Sequence, residues 1–171
     1  RANLSITAKP ITVVADAKSK VYGAADPALT YTNSALVGGD VMSGTLSRVA
    51  GENVGTYAIE QNTLTAGSNY TITYTGANLT VTARDLAITA NSFTKTVGVE
   101  YTFTGTEFTT GTMYFSDAVT SCSVSSAGAG AAATPGAYSI AISDAVGTGL
   151  SNYNISYVEG TLTVQDLIEL T

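Results

Sequence analysis

Along SNYTITYTGANLTV, residues 68–81, apolar and polar side chains alternate. Tyr70, Ile72 and Tyr74 fall on one face, Thr71 and Thr73 on the other. After a turn at Gly76 to Asn78, Leu79 and Val81 continue an apolar face with Thr80 and Thr82 outward. Strand side chains switch face at every residue, so this pattern predicts two half-buried strands joined by a tight turn. Residues 151–164 repeat the phrase as SNYNISYVEGTLTV, with Tyr153, Ile155, Tyr157, Leu162 and Val164 in the same roles. Tyr57 with Ile59, and Tyr138 with Ile140 and Ile142, form a further inward row. The chain reads as mainly β.

The phrase is one part of a longer repeat. LSITAKPITV at 4–13 aligns with LTVTARDLAI at 79–88, and Lys20 and Gly23 align with Lys95 and Gly98 at the same offset. GTYAI at 55–59 aligns with GAYSI at 136–140. The expected organisation is the last strand of a preceding repeat (1–9), a first full repeat (10–83), a second, divergent repeat (84–165) and a tail (166–171), native or left from cloning. The stretch SSAGAGAAATPG at 125–136 reads as a flexible surface loop inserted in the second repeat. Leu4, Ile6 and Ala8 are even-numbered whereas Ile11, Val13 and Ala15 are odd, and the same parity switch separates Leu79, Val81 and Ala83 from Leu86, Ile88 and Ala90. A parity switch marks a handover between cores. It predicts that repeats join end to end through near-continuous strands, a semi-rigid arrangement unlike a Gly/Ser tether.

Composition agrees with a β fold and narrows the partners. Thr, Val, Ile and Tyr suit a pleated, half-buried surface, and 44% hydrophobic residues against 12% charged can build a core. The net charge is −6, and no basic residue lies beyond Lys95. Nucleic-acid binding needs clustered Lys and Arg, so DNA and RNA are excluded as partners, as are anionic membranes. No apolar run approaches the roughly 20 residues of a membrane helix, so this segment does not insert. The single cysteine, Cys122, rules out an intrachain disulfide. With no His to activate it, Cys122 reads as a small buried hydrophobe. The chain begins in mid-strand and reads as a piece of something longer, exported to the cell surface or secreted.

KVYGAADPALTY, residues 20–31, is dense in turn chemistry. Pro27 fixes its own backbone and holds Asp26 extended, and Gly23 permits positive φ. Asp16, Asp26 and Asp40 are too widely spaced for a compact calcium loop, so a structural turn is the preferred reading and no metal site is assigned.

Lys20-Val-Tyr22-Gly23, Asp26-Pro27, Leu29-Thr-Tyr31, Gly39-Asp40, Gly44-Thr-Leu46, Gly51-Glu-Asn53, Gly55-Thr-Tyr57-Ala-Ile59, Asn69-Tyr70 and Leu79-Thr-Val81 together resemble the MBG ("mostly beta-grasp") repeat. The first repeat matches along nearly its whole length. The second departs: Val97 replaces the motif Tyr, and the Asp-Pro and Gly-Glu-Asn phrases are lost. The resemblance implies tandem β-grasp-like modules of very large bacterial surface proteins, many of them suspected adhesins. It implies that the usual helix is short or absent; the region around Leu36 to Met42 is where a short helix or helix-like crossover is expected. It implies no catalytic residues and no cofactor.

The remaining constellations favour no enzyme. The acids are scattered, without a paired set for glycoside hydrolysis. Ser19-Lys20 reads as a turn neighbour pair. Lys20 or Lys95 joined to an Asn by an isopeptide bond has no specific support in the sequence. Most tyrosines read as core with the hydroxyl at the rim, while Tyr114-Phe115 in GTMYFSD is irregular and a candidate exposed pair. The function expected is a non-catalytic stalk in adhesion, whose partners are neighbouring repeats of the same chain. One alternative is that the repeats bind a host or environmental glycan or protein. Another is an accessory module of a secreted polysaccharide-degrading enzyme.

Overall fold

A computed structural model describes residues 3–166. The chain divides into two compact units between Thr82 and Ala83. Unit 1 contains seven strands: β1 Lys9–Ala15, β2 Lys18–Val21, β3 Tyr31–Asn33, β4 Ser47–Arg48, β5 Gly55–Glu60, β6 Tyr70–Thr75 and β7 Ala77–Thr82. They form a three-stranded sheet, β3-β1-β6, and a four-stranded sheet, β2-β7-β5-β4. Unit 2 repeats the pattern with β8 Arg84–Ala90, β9 Phe93–Thr96, β10 Phe108–Thr110, β11 Ala118–Ser125, β12 Gly136–Thr148, β13 Tyr153–Val158 and β14 Gly160–Gln165. Its sheets are β10-β8-β13 and β11-β12-β14-β9, the same orders shifted by seven strands. The fold is mainly β, in two tandem domains.

The first two strands of each unit pair in parallel with its last two. Lys9 faces Tyr70 at the start of β1, and Val14 faces Thr75. Lys18 then faces Leu79 on β2, and Val21 faces Thr82. The separation stays at 61 residues through both sheets, so 9–21 and 70–82 form one ladder in constant register. In unit 2, Arg84 faces Tyr153 and Thr96 faces Gln165, a constant separation of 69. Each ladder therefore begins where the unit's first strand begins and ends where its last strand ends.

Alternation along the ladder builds the core. Ile11, Val13 and Ala15 are buried on β1, Leu79 and Val81 on β7, and Leu86, Ile88 and Ala90 on β8. Ala15 of one sheet packs with Ile59 and Leu79 of the other, with Leu29, Leu46 and Tyr74 around them. The parity switch between Val81 and Leu86 falls where the chain passes from β7 in unit 1 to β8 in unit 2, with Ala83 alone between the two strands.

Three expectations are corrected. Leu36–Met42 is not helical: Gly38 and Gly39 both sit at positive φ, +67° and +84°, in a turn closed by Asp40 N–H donating to Val37 O at 3.1 Å. Successive residues at positive φ cannot continue a right-handed helix. The one helical element among the described residues is a 3-10 turn, Leu150–Asn152. The Ala/Gly stretch after β11 is held by partners. Tyr101 N–H donates to Ala129 O at 2.9 Å and Gly98 N–H to Ala131 O at 3.2 Å. Gly128 is buried so close to Tyr138 that a Cβ there would lie 2.7 Å from the ring. Tyr157, near the C-terminal end of β13, is exposed, whereas Tyr153 at the start of the same strand is buried; the Tyr157 hydroxyl accepts the Ala145 N–H at 2.9 Å. Of the tail, residues 167–171 lie outside the described residues.

Residues 3–8 are in no strand, and Leu4 is 89% exposed. Its sequence counterpart Leu79 is 0% exposed, between two neighbouring strands. Leu79→Ala should cost unit 1 about 2–5 kcal/mol, as for other buried Leu truncations. Leu4→Ala should change stability by less than about 0.5 kcal/mol. Denaturant unfolding of the full chain, with each unit followed by NMR, checks both.

Candidate functional site

The densest chemistry among the described residues is a four-charge network in unit 1. Lys20 sits on β2 with its side chain turned inward and 4% exposed. Past Val21 the chain turns at Gly23, φ +78°, with Ala24 N–H donating to Val21 O at 3.0 Å, and this brings Asp26 back beside the lysine. Arg48 comes from the two-residue strand β4, held against Ile59 of β5, and Glu52 follows it by four residues.

Lys20 Nζ lies 2.6 Å from Asp26 Oδ1 and 2.5 Å from Glu52 Oε2. Arg48 Nε lies 2.6 Å from Asp26 Oδ2, and its Nη2 lies 2.6 Å from Glu52 Oε1. Each carboxylate thus spans both cations. Arg48 Nη1 also donates to Val49 O at 3.1 Å and to Gly51 O, and the guanidinium stands 5.3 Å from the Tyr57 ring centre. Gly51 is required by proximity: a Cβ there would lie 2.0 Å from Tyr57 Cε1.

Lys20 is buried and Arg48 largely covered, while the acids are half-exposed, at 38% and 43% for their side chains. Hydrogen bonds from Arg48 and then Lys20 hold Asp26 down at about 2. Bonds from Lys20 and then Arg48 hold Glu52 below its usual range. Burial pulls the Lys20 ammonium down, but its bonds to Asp26 and Glu52 outweigh that and leave its pKa raised. The network therefore favours ions. Joining Lys20 to a carboxylate with loss of water needs a neutral amine and a protonated acid, and both shifts run against it. Lys20 Nζ donates to these two acids and Lys95 Nζ to backbone carbonyls, not to an Asn side chain.

Unit 2 keeps the lysine and replaces everything around it. Lys95 occupies the same ladder position, facing Val164 as Lys20 faces Val81. Its Nζ donates to Val99 O and Gly130 O, both at 2.7 Å. The four ion pairs that join Lys20, Asp26, Arg48 and Glu52 have no counterpart around Lys95. Nearby, Phe93, Tyr101 and Phe103 pack as a trio with ring centres 4.4–5.8 Å apart.

The other sequence candidates are dispersed. Asp16 accepts the Thr30 hydroxyl, and Asp40 accepts the Tyr70 hydroxyl at 2.8 Å, so the three aspartates weighed for calcium serve three separate places. No group of three or more His, Cys, Asp or Glu side chains positioned for a metal occurs among the described residues. Cys122 is buried on β11, and burial raises its thiol pKa. Ser19 lies on the outward face of β2. Phe115 is 67% exposed at φ +55°, next to Tyr114, whose ring lies 4.3 Å from the Arg84 guanidinium carbon. A shallow concavity of about 480 Å³ on unit 1 includes Lys9, Asp40, Asn69 and Tyr70.

Three of the four network residues, Lys20, Asp26 and Glu52, lie in phrases that carry the sequence resemblance, as do Gly23, Gly51 and Tyr57 around them. The family description "MBG domain (YGX type)" matches residues 11–80 and again 86–163. The chain belongs to the MBG domain family. Tyr22-Gly23-Ala24 supplies the YGX element of the first MBG domain, with Tyr22 2% exposed. The second domain has Val97-Gly98-Val99 there, yet Gly98 keeps the positive φ, +83°. Its Val97 N–H closes the ladder on Gln165 O at 2.9 Å, as Tyr22 N–H does on Thr82 O. MBG repeats are typically non-catalytic modules. No curated protein matches the chain.

Sequence reasoning found the lysine and the turn but missed Arg48 and the closure of the network. Arg48 lies outside every quoted motif phrase. The available signal was an arginine four residues before Glu52, beside a buried-strand pattern.

Replacing Lys20 removes one cation from between two acids. The cost should fall between an exposed pair, about 1 kcal/mol, and a buried one, about 3–5, so Lys20→Met should destabilise unit 1 by about 2 kcal/mol. Lys95→Met trades two carbonyl bonds against release from burial and should shift unit 2 by less than about 1 kcal/mol. Asp26 has a folded pKa of about 2 against a model-compound value of 3.8. A depressed carboxylate pKa gives stability that is complete above the unfolded value and lost as pH falls through the folded one. The midpoint of unit 1, followed by NMR, should therefore be lower at pH 2.5 than at pH 5, and Lys20→Met, which removes a cation from Asp26 and Glu52, should shrink that difference; a difference unchanged by Lys20→Met would remove the network from the acid dependence of unit 1.

Proposed function

We propose that the chain is a non-catalytic segment of a large bacterial cell-surface protein, exposed outside the cell, where its tandem MBG domains act as a semi-rigid stalk in adhesion. The observation that carries this reading is the parallel ladder. Within each unit the chain enters at one end of the ladder, at Lys9 or Arg84, and leaves at the other, at Thr82 or Gln165. At about 3.3 Å per residue, each ladder contributes at most about 40 Å of path. A single residue, Ala83, then separates the last strand of one unit from the first strand of the next. Such units add length with little slack, which is what a spacer needs. Residues 3–8 fit the same scheme as the closing strand of a preceding domain: Leu4 and Ile6, 89% and 88% exposed here, align with Leu79 and Val81 of β7. Neighbouring repeats of the same chain are then its principal partners. No helix among the described residues is long and apolar enough to cross a membrane.

A second reading, that the repeats bind a glycan or protein, is supported by one feature. Phe115 holds an exposed aromatic side chain on backbone at φ +55°, where non-glycine residues are strained and persist when the surroundings impose it.

Small-angle scattering on the full chain and on its tandem duplicate tests the stalk. The maximum dimension should nearly double; growth of only about 1.4-fold, the square-root scaling of a flexible string, would count against it. A panel of glycans and matrix proteins, with and without calcium, tests the second reading. It requires saturable binding that Phe115→Ala abolishes, and the stalk reading stands alone if folded protein binds nothing.

A further inference from the structure

We propose that each MBG domain of this chain is a tension-bearing clamp, whose ladder is loaded in shear when the chain is pulled through its ends. In unit 1, tension from the N-terminal side enters β1 at Lys9. Tension from the C-terminal side leaves β7 at Thr82, at the opposite end of the same ladder. The two pulls drive 9–21 and 70–82 past one another along the strand axis. Six residue pairs between β1 and β6 and four between β2 and β7 then resist together. Peeling from one end would load the pairs one after another, each failing in turn. Shear loads them jointly, so the barrier to forced unfolding is far higher. Forced unfolding is set by the unfolding rate, not by equilibrium stability.

Three further features fit a clamp. The strands where tension enters and leaves are internal, with β6 and β2 as their edge partners: β1 lies between β3 and β6, and β7 lies between β2 and β5. Neither can be stripped from an open edge. The lysine of β2 is tied through Asp26 and Glu52 to Arg48 of β4, across the four-stranded sheet. Unit 2 shares the geometry without the four-charge network of unit 1: β8 lies between β10 and β13, β14 lies between β12 and β9, and the register is constant at 69. What the two units share under load is thus the ladder, not the ion network. The clamp concerns how a unit resists force and does not require that the array be straight, so it stands or falls apart from the stalk reading.

Single-molecule force spectroscopy on the full chain, held by handles fused to both ends, should show two distinct ruptures. They should release roughly 230 Å for unit 1 and 255 Å for unit 2, at ~3.6 Å per residue less the folded span. In a Cys122→Ala background, Ala8→Cys and Ser68→Cys place both handles on exposed residues at the same end of the unit 1 ladder. Pulled there, β1 peels from β6. Unit 1 should then rupture at a small fraction of its end-to-end force while its thermal midpoint stays the same. Equal forces in the two geometries would overturn the proposal. So would extension of the end-to-end chain without discrete ruptures, an outcome that needs no variant to observe.

Discussion

The pairing of the first thirteen ladder residues of a unit with its last thirteen is the constraint from which the rest follows. The partners are 61 residues apart in unit 1 and 69 in unit 2, so closure is a long-range event. Its entropic cost grows only slowly with loop length, and the reward is the burial of a two-faced core. Ile11 and Val13 are committed on one strand, Leu79 and Val81 on another. Constant register across both sheets makes that commitment all-or-none. A slip of one residue on either side would turn every one of these side chains outward. Parallel strands usually need a helical crossover. Here β3, β4 and β5 make the return, and the two sheets cover each other through contacts such as Ala15 with Ile59 and Leu79.

At one end of that ladder each unit buries a lysine, and the two units solve the resulting problem differently. A buried ammonium requires partners. Unit 1 supplies two carboxylates, and the carboxylates in turn recruit Arg48. Unit 2 has lost both the Asp-Pro and the Gly-Glu-Asn phrases, and the Ala/Gly insertion answers that loss. The longer loop between β11 and β12 carries the Gly130 carbonyl to Lys95 Nζ, while the residue standing in the Asp26 position, Tyr101, joins the aromatic trio. The insertion and the missing acids are two sides of one substitution: carbonyl dipoles and ring packing in place of ion pairs.

Alternation made the long, one-sided strands legible in the sequence: Tyr57 and Ile59, Leu79 and Val81, Ile140 and Ile142, Leu162 and Val164 all lie on the inward face or at its margin. It said little about β3, β4 and β10, which are two or three residues long and offer no period to read. Tyr22 escaped as a core residue because it sits beyond the end of β2, inside a phrase that reads as a turn. The helix placed at Leu36–Met42 came from the family resemblance, and the adjacent Gly38 and Gly39 argued against it. The charge network was illegible as a unit. Its members are 6, 22 and 4 residues apart along the chain, and only the fold brings them within hydrogen-bonding distance.

The parity switch falls where the chain leaves one core for the next. The odd-numbered Leu79 and Val81 of β7 are buried in unit 1, and the even-numbered Leu86, Ile88 and Ala90 of β8 are buried in unit 2. In an uninterrupted strand Val81 and Leu86 would point to opposite faces. Both are nevertheless buried, at 1% and 1%, because the segment passes from one hydrophobic core to the next within three residues. A longer linker would relax this demand on sequence and also introduce slack between the ladders. The short junction keeps the last ladder residue of one unit, Thr82, two positions from the first ladder residue of the next, Arg84. Tension carried by the first ladder therefore passes to the second through one residue of backbone.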